Sequence, residues 1–586
     1  MATTPFSDIK DPILQITIKL DGSIMSDRYG VTSIQVQHAI NTISTAQLSF
    51  SGSIDVNTGD ISITDSDDFN PGKKVEILAG YGEGDVKNIF KGIIVTHTLK
   101  LGPGTNFTLC IKCKHEAAAM NFAEKEQFFV QLSDRDIIKN ITDGYGIACD
   151  TRQGIISNEN LFQKNCTDWD FILSRCNHNG YVVTMDGDSG LLIDAPKLSD
   201  RAVLTIENGD SIIAFEAGLH AANQPVSVTA SAWDDDTKTL VSVTAAELSM
   251  NEQGHIKATN LAAQMPGGVI KLLSPSPMTK ESLQKWADSV LLRKRLSATR
   301  GNVSFIGNAG IKTGNIIELK GVGKKFNGKA FVSAVTHTIV AGEWTTAAVF
   351  GLDDIAVSTY PVYQTATAAI QGLQLATVIK IEQDPENRYR IQVAIPSASG
   401  AVNNAWAVMA HFNASNNSGA FFIPEIGDDV VLGYLGNDAG NPVILGSVYN
   451  RHHAAPYAAA DVNNTRALVT RNQMKIEFNE EKKNISISTP AGNTILLSED
   501  GKLVEFKDQN GNSITLSNDG IILNSVKDLK ITASGAIDII ANTDLKIKGV
   551  NVIAEAAVAF AGKGNATAEL SASGQTTVKG GMVMIN

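Results

Sequence analysis

Apolar and polar residues alternate with a period of two from residue 13 to about 115. "LQITIKL", "TSIQVQHAI" and "TAQLSFSGSI" follow one another with Gly, Asn and Asp between them. Successive side chains of a strand point to opposite faces, so this period predicts half-buried strands in small antiparallel sheets or a barrel over 1–115. The pattern changes over 116–205. "LSDRDIIKNITDGYG" offers Ser133 as a helix N-cap with Asp134 and Asp136 in the first turn, and "NCTDWDFILSRCNHNG" offers Thr167 or Asp168 as a cap and Gly180 as a stop. "YVVTMDGDSGLLIDA" then reads as a hairpin turning on Asp and Gly, so an α+β insertion is expected here.

Strand patterns return over 206–235 and again over 301–352. Between them, 236–300 carries a helix capped by Thr279 with Leu283, Ala287, Val290 and Leu291 on one face. A connector with a candidate short helix covers 353–372. Over 373–457, about five short strands with turns at Gly427 and Asn437–Asn441 suit a five-stranded OB-type barrel.

The tail, 465–586, repeats. Leu529, Ile537, Leu545 and Ile553 stand eight residues apart, with Ile531, Ile539 and Ile547 two positions further on, and Ile487, Ile495 and Leu503 show the same step. "GNTILLSEDG" at Gly492 recurs as "GNSITLSNDG" at Gly511, nineteen residues later. Eight residues make one strand and a turn, too little to enclose a core, whereas a single-chain β-helix needs about twenty or more per coil. Three chains, each lending one face of a triangular prism, enclose one. These Ile and Leu residues are therefore the expected core of a trimeric needle, with interchain ladders covering the strand edges.

The tetrapeptide "VTHT" occurs at Val95–Thr98 and again at Val335–Thr338. Each copy follows a Gly (Gly72, Gly314), an apolar–Glu–apolar strand (Val75-Glu76-Ile77, Ile317-Glu318-Leu319) and a Gly-rich turn. Each then turns at a Gly (Gly102, Gly342) into an alternating strand. This reads as a duplicated β-unit whose loops differ by two residues. The expected fold class is mainly β and multidomain: duplicated β-barrels with α+β insertions, an OB-fold barrel and a C-terminal intertwined triple-stranded β-helix.

Composition adds exclusions. A chain of 586 residues exceeds one core. Its formal charge of −12 argues against nucleic acid as the main partner. No apolar run approaches membrane-helix length, and "MATTPFSDIKDP" lacks the pattern of a secretory signal, so synthesis in the cytoplasm is expected. Five cysteines (Cys110, Cys113, Cys149, Cys166, Cys176) suggest reduced thiols, and Cys110 and Cys113 fall on opposite faces of a strand, unlike metal ligands. His97 and His337 read as strand histidines. His452-His453 lacks partners at ligand spacing, and Asp428-Asp429 points to opposite faces, away from any paired-carboxylate chemistry. No catalytic residue, metal or cofactor is expected.

The order of these parts, with "TDWDFILSRCNHNGYVV", "FFIPEIGDDVVLGYLGNDAGNPVILGSVYN" and the terminal "GGMVMIN", resembles the VgrG-type central spikes of contractile injection systems. "NPGKKVEILAGYG…NIFKGIIVTH" is closer in wording to the spikes of extracellular particles. The resemblance covers essentially the whole chain. It implies a homotrimer with two similar barrels per chain, forming a pseudo-hexameric ring that docks on a hexameric inner tube and baseplate. It also implies a needle driven through a target membrane on sheath contraction, and it allows effectors as further partners. The short join from about Tyr457 to the repeats leaves no room for the lysozyme domain of phage versions, and no effector domain is expected after the repeats. Gly581, Met582, Val583, Met584, Ile585 and Asn586 are the expected platform for a PAAR-type tip protein, with simple trimer closure as the plainer role. Release as an extracellular particle is expected, the alternative being an apparatus anchored in the producing cell. The rival functions are a type VI spike carrying effectors, or a trimeric tailspike or binding protein whose OB domain holds carbohydrate or nucleic acid.

Overall fold

The computed structural model describes residues 13–55, 58–82, 86–104, 106–129, 132–151, 161–185, 190–234, 237–264, 268–274, 277–352, 370, 372–396 and 402–585. The chain splits into two compact units, Met1–Ala454 and Ala455–Asn586.

The first unit opens with β1 (Leu14–Leu20), β2 (Ser23–Ile24), β3 (Val31–Ala39), β4 (Thr42–Ser53), β5 (Lys74–Tyr81), β6 (Lys87–Leu101) and β7 (Asn106–Lys114). Period-two alternation sends Val36, Leu48, Phe50, Ile77, Leu109 and Ile111 into one core and leaves Gln35 and Gln37 in solvent. An insertion follows: β8 (Glu124–Phe129), α1 (Asp134–Gly144), β9 (Cys149–Thr151), β10 (Leu161–Thr167), α2 (Asp168–Asn179), β11 (Val182–Thr184) and β12 (Leu191–Asp194). Its caps are those expected. Ser133 Oγ accepts from Asp136 N–H, Thr167 Oγ1 accepts from Asp170 N–H, and Gly180 ends α2 at φ 73°. β11 and β12 pair antiparallel as the expected hairpin, whose turn at 186–189 lies outside the described residues.

The second copy begins with β13 (Leu204–Glu207) and β14 (Ile212–Leu219). A second insertion holds β15 (Ser227–Asp234), β16 (Thr239–Thr244), α3 (Ala258–Gln264), β17 (Val269–Ser274) and α4 (Lys280–Leu296), after which β18 (Thr299–Ile306), β19 (Ile316–Lys320), β20 (Gly328–Val340) and β21 (Glu343–Phe350) complete the copy. α4 is capped by Thr279 and buries Leu283, Ala287 and Leu291, as its pattern predicts. One boundary differs. β15 was expected in the second barrel but pairs with β16 and β17, because Val228, Ala230 and Ala232 pack against α4.

The duplication is explicit in the sheet. The first copy runs β3-β4-β7-β6-β5-β1 and the second β14-β18-β21-β20-β19-β13. Matching the two lists position by position also matches chain order, with "VTHT" in β6 and β20. The copies differ in one direction: β1 meets β5 antiparallel, whereas β13 meets β19 parallel. Each copy has its own core, and β3 pairs with β20, so the two join edge to edge in one thirteen-stranded sheet.

Most of the connector, including its candidate helix, lies outside the described residues. Beyond it, β22 (Gln374–Lys380), β23 (Arg390–Pro396), β24 (Val402–Met409), β27 (Asp429–Tyr434) and β28 (Pro442–Ser447) close into a five-stranded barrel, with a small hairpin of β25 (Ala414–Ser415) and β26 (Ser418–Gly419) between. Val378, Val393, Val430, Leu432 and Ile444 fill it, and Phe128 and Phe162 of the first insertion join the same core.

The second unit holds a seven-stranded antiparallel meander: β29 (Thr465–Val469), β30 (Lys475–Asn479), β31 (Asn484–Ser488), β32 (Thr494–Ser498), β33 (Leu503–Lys507), β34 (Ser513–Ser517) and β35 (Gly520–Asn524). Its turns place Gln473, Gly492 and Gly511 at positive φ, nineteen residues apart, which makes the nineteen-residue sequence repeat a repeat of hairpins. From 525 to 585 no strand is assigned, and bends recur near 526, 534, 542, 550, 558, 566, 574 and 582, a period of eight.

Candidate functional site

The chemistry of the first unit is spent on its own structure. His337 is buried, its Nδ1 3.0 Å from Thr346 Oγ1 and its ring 5.7 Å from Trp344. Burial, reinforced by nearby His38, pushes it down to about 3. His97 is half-buried with Nδ1 3.2 Å from the Phe69 carbonyl. Cys113 is buried and Cys110 half-buried on the opposite face, and burial, with Cys110 adding to it, pushes the Cys113 thiol up to about 12. A thiol held there is no nucleophile near neutral pH.

The carboxylates of the OB barrel likewise hold turns. Burial raises the Asp384 carboxyl, but hydrogen bonds from the Arg390 guanidinium and from the backbone amides of Glu386, Arg388 and Arg390 outweigh it and hold the group well below the usual range. Asp429 accepts from Thr377 Oγ1 at 3.0 Å and Asn450 Nδ2 at 2.5 Å, and Asp428 accepts from the Glu425 amide at 2.9 Å. His452 and His453 are exposed, and their backbone amides donate to Asn450 Oδ1. Among the described residues, no group of three His, Cys, Asp or Glu side chains is placed to hold a metal, and no helix is long and apolar enough to cross a membrane.

The feature without an internal partner is a face. Directly opposed residues of an antiparallel ladder share one side of the sheet. Through the pairs Ile476–Ile487, Phe478–Ile485, Ile487–Ile495, Leu497–Val504, Phe506–Ile514 and Ile514–Leu523, one side of the meander is apolar from β30 to β35, with Leu468 and Arg466 of β29 at its end. The other side carries Glu477, Ser486, Ser488, Thr494, Glu505, Lys507, Ser513 and Thr515. Yet no described residue of the second unit is buried. Leaving an Ile, Leu or Phe exposed forgoes about 1.5–3 kcal/mol each relative to burial.

This geometry redistributes the expected needle core. Ile487 and Ile495 share the apolar face, as directly opposed partners across a hairpin rather than successive rungs. Leu503 is opposite Ser498 and lies on the polar face. The reason is the turn at 499–502: its four residues invert the parity that the five residues at 489–493 preserve, so Val504 and Phe506 take the apolar side. Sequence reasoning missed these two, together with Ile485, Leu497 and Ile514. Their alternation within each half of the nineteen-residue repeat was the available signal. Leu529, Ile531, Ile537, Ile539, Leu545, Ile547 and Ile553 are all exposed, between the bends of the eight-residue period. Met582, Val583, Met584 and Ile585 are exposed as well, and Asn586 lies outside the described residues.

Comparison with known proteins supplies context for this architecture. The family model described as the Alg8 N-terminal domain matches residues 10–341, and the one described as the type VI secretion system/phage-baseplate injector OB domain matches 374–449. The type VI secretion system spike protein VgrG3 of Vibrio cholerae is 27% identical over 139 residues, 22% of this chain and 13% of that protein. The spike protein VgrG1c of Pseudomonas aeruginosa is 28% identical over 130 residues, 20% of this chain and 18% of that protein. These matches span less than a fifth of either relative. A chain of the half-lidded Francisella PdpA–VgrG complex superposes with a TM-score of 0.50 at 10% identity, over 87% of this chain and 88% of that one. The resemblance to VgrG-type spikes read from the sequence therefore holds, as does the mainly β, multidomain fold with an OB barrel.

Proposed function

The chain belongs to the Alg8 N-terminal domain family, and from that premise we propose that it is the spike at the tip of the inner tube of a contractile injection apparatus. The carrying observation is the second unit, which has a continuous apolar face, an eight-residue bend period and no buried residue among those described. Such a chain acquires a core from other copies of itself. Three copies, each giving one apolar face, make a closed prism, and the interlocked ladders make a stiff needle that cannot fray locally without breaking interchain pairs.

In this reading the duplicated β-units of three chains give six similar units, which adapts a threefold needle to a hexameric tube and baseplate. Contraction of a sheath drives tube and needle through the target envelope. The apolar end Met582–Ile585, with Gly581 and Asn586, caps the prism and seats a small PAAR-type tip protein. The role is mechanical rather than enzymatic, and release of the whole particle from the producing cell fits the wording of the first β-unit.

The test is the solution mass of the purified chain by light scattering on a sizing column. A mass of three chains that resists dilution is expected. A folded, monodisperse monomer would overturn the needle. Deleting Gly581–Asn586 should leave the trimer intact and abolish co-purification of the tip protein; undiminished co-purification would remove the tip assignment.

A further inference from the structure

The second insertion runs from β16 to α3 as a strap of irregular backbone, tied down at both ends. Ala246 N–H donates to Asp288 Oδ1 at 2.9 Å, Asn251 Nδ2 to the Asp200 carbonyl at 2.8 Å, and Gly254 N–H to the Asn327 carbonyl at 2.6 Å. Gly254 stands at φ 69°, and a Cβ there would meet the Lys325 carbonyl at 2.0 Å, so the strap lies on the β19–β20 turn as closely as bare backbone allows. Between these ties the strap and the second barrel bound a cavity of about 300 Å³, the lower end of the range of small-molecule pockets, about 300–1,000 Å³. Its floor is Leu296 at the end of α4, Ile316 of β19 and Phe331 of β20, with Leu198 beside them, all four buried. The strap contributes Leu248 and Met250.

Five charged side chains line the same cavity, three cations and two carboxylates. Four of them neutralise one another in pairs. Arg295, which is buried, reaches Glu247 with Nε at 2.7 Å and Nη2 at 3.0 Å, and Lys257 Nζ is 2.8 Å from Glu252 Oε1. The fifth, Lys329 of β20, is half-buried and has no carboxylate within ion-pair distance among the described residues. Glu318 stands directly opposite it across the ladder, but that carboxylate accepts from Thr205 Oγ1 at 3.1 Å and lies 3.7 Å from Lys320 Nζ. The cavity is therefore an apolar bed with one cation left over.

We propose that this cavity binds a small aliphatic carboxylate, its chain on Leu296, Ile316 and Phe331 and its head group on the Lys329 ammonium. Burial of the chain supplies most of the affinity, and the charge-assisted hydrogen bond selects the head group. A polyhydroxylated or multiply charged ligand finds too few partners on such a bed. The site occurs once per chain: the second insertion separates β14 from β18, whereas the equivalent strands β3 and β4 of the first copy are joined by Ile40 and Asn41 alone. It does not depend on the needle or on the spike assignment.

Calorimetric titration of the full chain with octanoate, 1-octanol and octylamine tests this. Octanoate should bind saturably, one per chain. Octanol, which has the same chain and no charge, should bind about tenfold more weakly, and octylamine more weakly still. Lys329→Gln should bring octanoate down to the affinity of octanol. Met250→Trp, which fills the cavity from the partly exposed strap, should abolish the binding of both, and Ile256→Trp repeats the filling should the first variant fold poorly. Equal affinities for octanoate and octanol overturn the carboxylate as the ligand class. Saturable binding that none of these substitutions alters lies elsewhere on the chain and overturns the site. No saturable binding of octanoate overturns the proposal whole.

Discussion

The two units use one sequence pattern to opposite effect. In β4, alternation puts Leu48 and Phe50 inside a core. In β31 to β34, equally regular alternation puts Ile487, Leu497, Phe506 and Ile514 on a face that no described residue of the second unit covers. Alternation specifies that a sheet has an apolar side; it does not specify the source of the covering layer. In the first unit, turns, insertions and a duplicated copy bring that layer from the same chain. In the second, the short hairpins and eight-residue bends bring no such layer among the described residues; in the proposed needle it comes from another copy.

The sharpest way to break this comparison is to put charge on the uncovered face. Phe506→Asp should abolish the three-chain mass on a sizing column. Threefold assembly would bury three unpaired carboxylates, a cost of roughly 10 kcal/mol at several per ion. Ser486→Asp, on the opposite face of the same sheet, should leave the mass unchanged. If the two variants behave alike, the apolar face is not the contact.

Ion pairs give a second contrast. In the first unit, Arg175 Nε is 2.6 Å from Asp134 Oδ1 and Nη2 is 3.1 Å from Oδ2, with both side chains about 5% exposed, and Asn179 donates to the same carboxylate at 2.7 Å. Arg175→Ala strands a buried charge and should cost about 3–5 kcal/mol in denaturant unfolding of that unit. In the second unit, Arg466 and Glu480 pair across β29 and β30 with both side chains more than half exposed. Arg466→Ala should cost at most about 1 kcal/mol. Arg466 stands directly opposite Phe478, at the end of the apolar side, so a large loss there would mean that assembly buries this end of the face.

What could be read from the sequence divides along the same line. Helix ends were legible because a cap is a local event: Ser133, Thr167 and Thr279 each bond an amide three residues on. The duplication was legible because loops absorb differences while strands keep "VTHT". Parity in the meander was not, since it depends on whether a turn holds four or five residues, and Leu503 fell on the wrong side for that reason. Nor was the membership of β15, whose apolar residues suit either sheet until α4 selects one. The pairing of β3 with β20, three hundred residues apart, leaves no local trace.

Acid separates the units through their histidines. His178 and His337 are both pushed down to about 3, chiefly by burial, with Arg175 adding to the effect at His178 and His38 at His337. The unfolded chain binds a proton at each near pH 6.5 while the folded one refuses it. Their contribution is therefore complete above pH 6.5 and is lost progressively toward about 3, at about 1.4 kcal/mol per pH unit for each histidine. The second unit contains no histidine, since all ten lie at or before His453, and all five tryptophans lie at or before Trp406. Tryptophan fluorescence therefore reports on the first unit alone. Its denaturant midpoint should fall steadily from pH 6.5 to 4, and His337→Gln should flatten that slope by about half. The three-chain mass should hold across the same window, because the second unit has no histidine to take up a proton there. A midpoint that does not move with pH would mean that these two histidines take up protons in the folded state, and a mass that falls in step with the fluorescence would tie needle assembly to the first unit.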